Sequence, residues 1–165
     1  MQIRPKEFYY TNEQMVKDLL ALIPAEREDT FLDAGSGKNK IWFNNLYCGQ
    51  KFECEIEDGC DFYKWEKRVD WIVGNPPFRD KKNGINQIPL WIEKASKIAQ
   101  KGMAFLINHK VINFLTPSRL EKLKDKGFYL SKLQIVADKR WFGRYYYLIF
   151  TKEKNEFLGW NKKTY

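Results

Sequence analysis

Histidine and cysteine are scarce in this sequence, and their scarcity excludes several kinds of catalytic site. The 165 residues include one histidine, His109, and three cysteines, Cys48, Cys54 and Cys60, which form no CxxC pair. One imidazole and scattered thiols do not assemble a zinc site. The same scarcity argues against a Ser-His-Asp or Cys-His nucleophile. The odd number of cysteines predicts reduced thiols, as in a cytoplasmic protein.

Long apolar runs are also lacking. No stretch approaches the roughly 20 apolar residues that a membrane span needs, and residues 1–6 lack the apolar core of a signal peptide. We therefore expect no membrane partner and a cytoplasmic location. Because no repeat or low-complexity tract divides the chain, residues 1–165 are predicted to form a single domain, with residues 154–165 as a loosely held tail.

Basic residues outnumber acidic ones. Lys and Arg total 29 against 21 for Asp and Glu, which gives a formal net charge of +8. A basic surface suits a polyanionic partner such as nucleic acid, although many basic proteins bind none.

Strand and helix patterns alternate along the chain. Helices are predicted at residues 11–22, 88–99 and 118–126 and around Trp42, and strands at 30–33, 51–55, 70–74, 102–108, 130–137 and 145–152. Thr11 is the predicted N-cap of the first helix, with Gln14 as its capping-box partner. This alternation predicts an α/β fold with a doubly wound, mostly parallel sheet.

A glycine-rich turn, Asp33-Ala34-Gly35-Ser36-Gly37, follows the first predicted strand. Ligands of α/β sheets bind beyond the carboxyl ends of the strands, and glycine lets the backbone approach them closely. Glu55, which ends the second strand, is placed to accept hydrogen bonds from ribose hydroxyls. The turn is neither a P-loop, since Leu32 replaces a required glycine, nor a GxGxxG fingerprint, since Lys40 does. An ordinary β-to-α turn is an equally good interpretation.

A second motif, Asn75-Pro76-Pro77-Phe78, directly follows the apolar strand at residues 70–74. The prolines fix the backbone and lack N–H donors, so the motif is rich in acceptors. The side-chain carbonyl of Asn75 and the backbone carbonyl of Pro76 would suit a planar amine with two N–H donors. Phe78 offers a face on which a base can stack. A simple Pro-Pro turn is the less favoured alternative.

With these motifs the chain resembles the S-adenosylmethionine-dependent amino-methyltransferases, above all the DNA adenine-N6 enzymes, whose [DNS]-P-P-[YFW] tetrad it matches. The resemblance extends over roughly residues 8–150. It implies a class I, Rossmann-like catalytic domain that methylates adenine N6 in DNA without a metal. The implied catalytic residues are Asn75, Pro76, Pro77 and Phe78. The residues implied to bind S-adenosylmethionine are Tyr10, Thr11, Asp33, Ala34, Gly35, Gly37, Glu55, Asp61, Phe62 and Asn75.

The chain departs from this family between the glycine turn and the tetrad. Only 37 residues lie between Gly37 and Asn75, so we expect the helix and edge strand that usually follow the second strand to be lost or vestigial. No segment is left for a target-recognition domain. Specificity is then low, or it comes from the loop at 79–87, from the closing strands or from a partner subunit. The predicted nucleic-acid contacts are Arg79, Lys81, Lys82, Trp141 and Arg144.

Other functions stay open at this point. The same tetrad occurs in families that methylate adenine N6 or guanine N2 in RNA, or a glutamine amide in protein. Asparagine in its first position favours adenine over cytosine N4, because cytosine enzymes more often have serine there. An alternative of another class is a non-catalytic subunit of a methyltransferase complex, against which Asn75 and the two glycines argue. A homo-oligomer also stays open.

Overall fold

The computed structural model describes residues 11–78, 84–139 and 144–154. In these residues the helices are α1 (Glu13–Leu20), α2 (Ile41–Asn44), α3 (Ile88–Ile98) and α4 (Pro117–Asp125). The strands are β1 (Thr30–Ala34), β2 (Gln50–Cys54), β3 (Val69–Gly74), β4 (Ala99–Asn108), β5 (Tyr129–Val136) and β6 (Tyr145–Thr151). Short 3-10 helices occupy Ile56–Asp58, Phe62–Lys64 and His109–Phe114. Apart from Lys154, the predicted tail lies outside the described residues.

The strands form one six-stranded sheet in the order β2-β1-β3-β4-β6-β5. Neighbours from β2 to β4 are parallel, and β6 runs antiparallel between β4 and β5. The predicted α/β fold with a mostly parallel sheet is therefore confirmed. So is the reduced edge, because β2 ends the sheet and two 3-10 helices connect it to β3.

Apolar side chains cover both faces of the sheet. Alternation along β3 sends Ile72 towards α3 and α4, and Trp71 and Val73 towards α1 and α2. Trp91 of α3 is buried on the first face, and Trp42 of α2 is buried on the second. This double burial explains why β3 is almost wholly apolar. No helix in the described ranges is long and apolar enough to span a membrane.

The first helix begins one residue later than predicted. Asn12, not Thr11, is its N-cap, and the Asn12 side chain accepts a 3.3 Å hydrogen bond from the backbone N–H of Met15. The Gln14 side chain donates to Asp18 instead of completing a capping box. Asparagine caps helices at least as well as threonine, and adjacent candidates cannot be separated from sequence alone.

The prediction of three reduced thiols is wrong for Cys54 and Cys60, which are joined in a disulfide. Cys54 ends β2, and the 3-10 turn that follows returns the chain, so the two Cα atoms lie 5.1 Å apart. Disulfide geometry accommodates that separation. Cys48 is a free, half-buried thiol.

Candidate active site

The carboxyl ends of β1 and β3 lie side by side at one edge of the sheet. Asp33 of β1 pairs in parallel with Val73 of β3, so the glycine turn and Asn75 leave the sheet at the same level. Between them Gly74 has a φ of 142°, and a Cβ atom there would lie 2.7 Å from the carbonyl oxygen of Ala34. Glycine is required at such a close approach. The structure therefore brings the two predicted motifs together.

The glycine turn is fastened to the end of β2. Gly35 and Gly37 have φ values of 75° and 64°, in the left-handed region that favours glycine. The N–H groups of Gly35 and Ser36 donate to the carbonyl of Cys54 at 2.8 and 3.2 Å. The N–H of Gly37 donates to the carboxylate of Glu55 at 2.6 Å. These bonds fix the path of the turn against the neighbouring strand.

Asp33 is a fully buried carboxyl group with one oxygen available. Its Oδ2 accepts a 2.9 Å hydrogen bond from the N–H of Phe43. Its Oδ1 is buried and has no hydrogen-bond partner among the described residues. Burial, with a smaller contribution from the nearby Glu53 and Glu55, raises the pKa of Asp33 to about 7, although the hydrogen bond from Phe43 acts in the opposite direction. A cationic ligand would favour the ionised form.

Glu53 and Glu55, both near the end of β2, have different partners. Glu55 faces the glycine turn through Gly37, and its other oxygen accepts from the N–H of Glu57 at 3.3 Å. Glu53 forms an ion pair with Lys40. Glu55 is therefore the acid that lies against the turn.

The Asp61–Phe62 pair is connected to the glycine turn by the side chain of Trp91. Asp61 accepts a 2.9 Å hydrogen bond from the N–H of Tyr63 and begins the second 3-10 helix. The buried Phe62 ring has its centroid 4.4 Å from that of Trp91. A Cβ atom on Gly35 would lie 3.3 Å from the same indole. Trp91 thus packs between the Asp61–Phe62 pair and the turn.

The Asn-Pro-Pro-Phe corner presents an unused acceptor. Asn75 is half-buried, and its Oδ1 is buried without a hydrogen-bond partner in the described part of the chain. A buried, unsatisfied acceptor costs roughly 1–3 kcal/mol, which an N–H donor of a ligand would recover. Pro76 is buried and Pro77 is exposed. Phe78 is half-buried, with its ring centroid 6.3 Å from that of Tyr145.

Some of the remaining predicted site residues lie in the described part of the chain, and others lie outside it. Thr11 is buried just before α1, and Ala34 is buried at the end of β1. Arg144 is exposed beside the start of β6, where Tyr145 pairs with Asn108 at the carboxyl end of β4, so it lies at the same edge of the sheet. The predictions for Tyr10, Arg79, Lys81, Lys82 and Trp141 fall outside the described residues. Within 11–78, 84–139 and 144–154, no group of three His, Cys, Asp or Glu residues could hold a metal ion.

The structure adds residues that sequence reasoning did not assign to the site. They are Ser36, Tyr63, Gln87 and Trp91. The Ser36 hydroxyl is buried in the glycine turn and has no hydrogen-bond partner in the described ranges; its position between two glycines was the available signal. Tyr63 and Gln87 contact each other across 24 residues, and no local pattern predicts such a contact.

Comparison in three dimensions gives matches where comparison of sequences gives none. No family model and no curated protein matches the chain. A provisionally assigned RNA methyltransferase of Pyrococcus horikoshii superposes with a TM-score of 0.67 at 17% identity, over 88% of this chain and 87% of that one. The S-adenosylmethionine-bound magnesium protoporphyrin IX methyltransferase of Synechocystis gives a TM-score of 0.62 at 12% identity, over 86% and 79%.

A third structure, a provisionally assigned class I S-adenosylmethionine-dependent methyltransferase of Listeria monocytogenes, gives a TM-score of 0.62 at 12% identity, over 92% of this chain and 62% of that one. At such low identities the likeness is one of fold. The chain has the Rossmann-like fold of the class I methyltransferases.

Proposed function

We propose that this protein transfers the methyl group of S-adenosylmethionine to an exocyclic amino group, and that this group is N6 of adenine in DNA. The observation that carries the proposal is the buried, unpartnered Oδ1 of Asn75 at the carboxyl end of β3, beside the glycine turn. The fold supports a methyltransferase, and the tetrad supports an amino acceptor.

The residues around the glycine turn fit S-adenosylmethionine. Asp33 has a buried free oxygen that would accept a hydrogen bond from the α-ammonium group at the methionine end of the cofactor, and this positive charge would favour the ionised carboxylate against the burial that raises its pKa. The positive φ values of Gly35 and Gly37 leave the backbone open to a close ligand. Glu55 would bind the ribose, and Asp61 with Phe62 would bind the adenine ring. When bound, the cofactor supplies a methyl group activated by its sulfonium centre.

The Asn-Pro-Pro-Phe corner would bind and activate the acceptor. An adenine amine is a weak nucleophile because its lone pair is delocalised into the ring. Oδ1 of Asn75 and the carbonyl oxygen of Pro76 would accept hydrogen bonds from its two N–H groups and draw electron density back onto nitrogen. Phe78 would stack on the base, and much of the rate gain would come from positioning. A base in duplex DNA would have to leave the stack first.

The choice of DNA depends on the tetrad and on charge. The structural neighbours act on different acceptors by their descriptions, RNA in one case and a porphyrin in another, so the fold alone selects none. A net charge of +8 favours a polyanion, and Arg144 is exposed at the same edge of the sheet as Asn75. Sequence specificity would be low, or it would come from the loop at 79–87, from the closing strands or from a partner subunit.

A transfer assay tests the proposal. The protein is incubated with methyl-labelled S-adenosylmethionine and, separately, with duplex DNA, single-stranded DNA, RNA and protein. Label that digests to N6-methyladenine in DNA is the expected result. Label found only in RNA or protein would overturn the acceptor, and cofactor binding without labelling of any polymer would indicate a non-catalytic subunit.

A further inference from the structure

Gln87 joins the two halves of the candidate site. Its backbone N–H donates a 3.2 Å hydrogen bond to the carbonyl of Phe78, the last residue of the Asn-Pro-Pro-Phe corner. Its side-chain oxygen accepts a 2.7 Å hydrogen bond from the hydroxyl of Tyr63, which follows Asp61 and Phe62 in the chain. One residue therefore contacts both the segment assigned to the cofactor adenine and the corner assigned to the acceptor.

The other polar groups of Gln87 are also engaged. Its side-chain amide donates to the carbonyl of Ile85 at 3.2 Å, and its backbone carbonyl accepts from the N–H of Trp91 at 2.8 Å. The residue is buried. Because the oxygen and the amide nitrogen of the Gln87 side chain are both engaged, this buried side chain is held in one rotamer, although Tyr63 itself is 39% exposed. A displacement of Tyr63 would therefore be passed on to Phe78 and not absorbed by a new rotamer of Gln87.

The contacts of the Gln87 side chain are not explained by capping of α3. Gln87 occupies the N-cap position, but its side chain makes no capping hydrogen bond. The side chain of Asn86 binds the start of the helix instead, because its Oδ1 accepts a 3.1 Å hydrogen bond from the N–H of Ile88. The Tyr63 ring packs edge-on against Trp91, with centroids 5.7 Å apart, and this contact does not need the hydroxyl. The hydrogen bond from Tyr63 to Gln87 is thus separate from both packing and capping.

We propose that Gln87 is a positioning residue that couples cofactor binding to acceptor binding. Cofactor against Asp61 and Phe62 fixes Tyr63, and Gln87 then fixes the end of the corner where Phe78 meets the base. This inference rests on the proposed function and extends it. By thermodynamic linkage, each ligand then increases the affinity of the protein for the other by the same factor.

The coupling is measured as a ratio of two dissociation constants. Binding of a fluorescein-labelled duplex DNA containing adenine is titrated without and with saturating S-adenosylhomocysteine. For the wild-type protein we expect the cofactor product to tighten DNA binding by about fivefold, at the low end of usual coupling between sites. Tyr63→Phe keeps the ring and removes the hydroxyl, so the ratio should fall to about one while S-adenosylhomocysteine binds almost as before.

Two further variants separate coupling from general damage. Gln87→Leu should lower the ratio as Tyr63→Phe does, and the double variant should lower it no further, because both changes break one connection. Tyr47→Phe is the matched control, since Tyr47 is 88% exposed, and it should keep the wild-type ratio.

The outcomes are distinguishable. An unchanged ratio in Tyr63→Phe, or losses that add in the double variant, would overturn the role of Gln87. A wild-type protein that methylates DNA but shows a ratio of one would overturn the inference and leave the proposed function intact. A wild-type protein that binds no S-adenosylhomocysteine would overturn both.

Discussion

The carboxylate of Glu55 accepts a 2.6 Å hydrogen bond from the backbone N–H of Gly37, so the end of β2 and the glycine turn share one charged contact. Glu55→Gln keeps an acceptor for Gly37 but removes the charge that would bind two ribose hydroxyls. We expect the affinity for S-adenosylhomocysteine to fall by roughly 10-fold or more, since hydrogen bonds to charged groups are worth about 1.5–3 kcal/mol. Isothermal titration calorimetry measures the change.

Glu57→Gln is the matched control, because Glu57 is exposed and its carboxylate pairs with Lys38. Its affinity for the same ligand should stay close to that of the wild-type protein. Equal losses in both variants would mean that general electrostatics at the end of β2, and not a ribose contact of Glu55, governs binding.

Replacing the unpartnered acceptor at the corner should remove catalysis and spare cofactor binding. Asn75→Ala deletes the side-chain carbonyl, and loss of one such group in an active site typically lowers kcat by about 10²–10³-fold. Methyl transfer to DNA and binding of S-adenosylhomocysteine are measured on the same preparation. Asn44→Ala, at an exposed residue of α2, is the control. Full activity of Asn75→Ala would show that the acceptor binds elsewhere.

Asp33 should make stability depend on pH. Its pKa is about 7 in the folded protein against an ordinary 3.8, so the folded state holds the proton more tightly. The contribution of protonated Asp33 to the free energy of unfolding is therefore fully present below about pH 4, and it is lost as the pH rises to about 7. The shift corresponds to at most about 4 kcal/mol.

Asp33→Asn cannot ionise, so its free energy of unfolding should lack this decline. It should exceed that of the wild-type protein above pH 7 while cofactor binding weakens. Urea denaturation at several pH values checks the first expectation, with Asp125→Asn, at an exposed residue, as the control. Parallel pH profiles of Asp33→Asn and wild-type protein would contradict the raised pKa.

Gly74 tests whether β1 and β3 approach as closely as described. Gly74→Ala places a Cβ atom 2.7 Å from the carbonyl oxygen of Ala34 at a φ of 142°. Strain and overpacking together should cost about 2–6 kcal/mol. Gly59→Ala is the comparison, since Gly59 also has a positive φ but no atom within 4 Å of the added Cβ. Thermal unfolding would refute the close approach if both variants lost the same stability.

The disulfide should stabilise the segment that leads to Asp61. Cys54 and Cys60 close a short loop around Glu55, and a link of this length is worth roughly 2 kcal/mol by the chain-entropy model. Cys60→Ser should lower the free energy of unfolding under oxidising conditions only, and Cys48→Ser, at the free thiol, should change it little. If a reductant destabilised wild-type protein and Cys60→Ser equally, the pairing would be wrong.

Local patterns predicted the order of the elements, and the short spacing between Gly37 and Asn75, compared with the family that the chain resembles, predicted the loss of the edge strand. Periodicity placed the ends of five strands within one residue, because each buries a face that composition reveals, whereas β4 begins at Ala99, three residues before the predicted start. The helix start at Asn12 instead of Thr11 was missed because the Thr11–Gln14 spacing matches a capping box that the structure does not form. The antiparallel insertion of β6 between β4 and β5 depends on contacts between distant segments, which periodicity does not encode.

The residues of the candidate site also fall into those that local sequence predicts and those that it does not. The positions of Asp33, Glu55 and Asn75 were predictable because each lies within one residue of the carboxyl end of a strand, at the edge where parallel strands meet their ligands. Trp91 was not assigned to the site, because its contact with Phe62 joins elements that are separate in the sequence. The Cys54–Cys60 pairing was missed because an odd number of cysteines and a lack of CxxC spacing carry no information about the turn between them.

The position of β2 at the end of the sheet has a consequence for solubility. An edge strand offers unused backbone groups with which another chain can pair, and such edges seed aggregation. β2 has five residues, among them the charged Lys51 and Glu53. The Lys67 ammonium lies 4.0 Å from the centroid of the Phe52 ring, so an incoming strand would meet charge beside that ring. The short length and the charges of β2 therefore protect this sheet edge, which the missing strand would otherwise cover, from pairing with another chain.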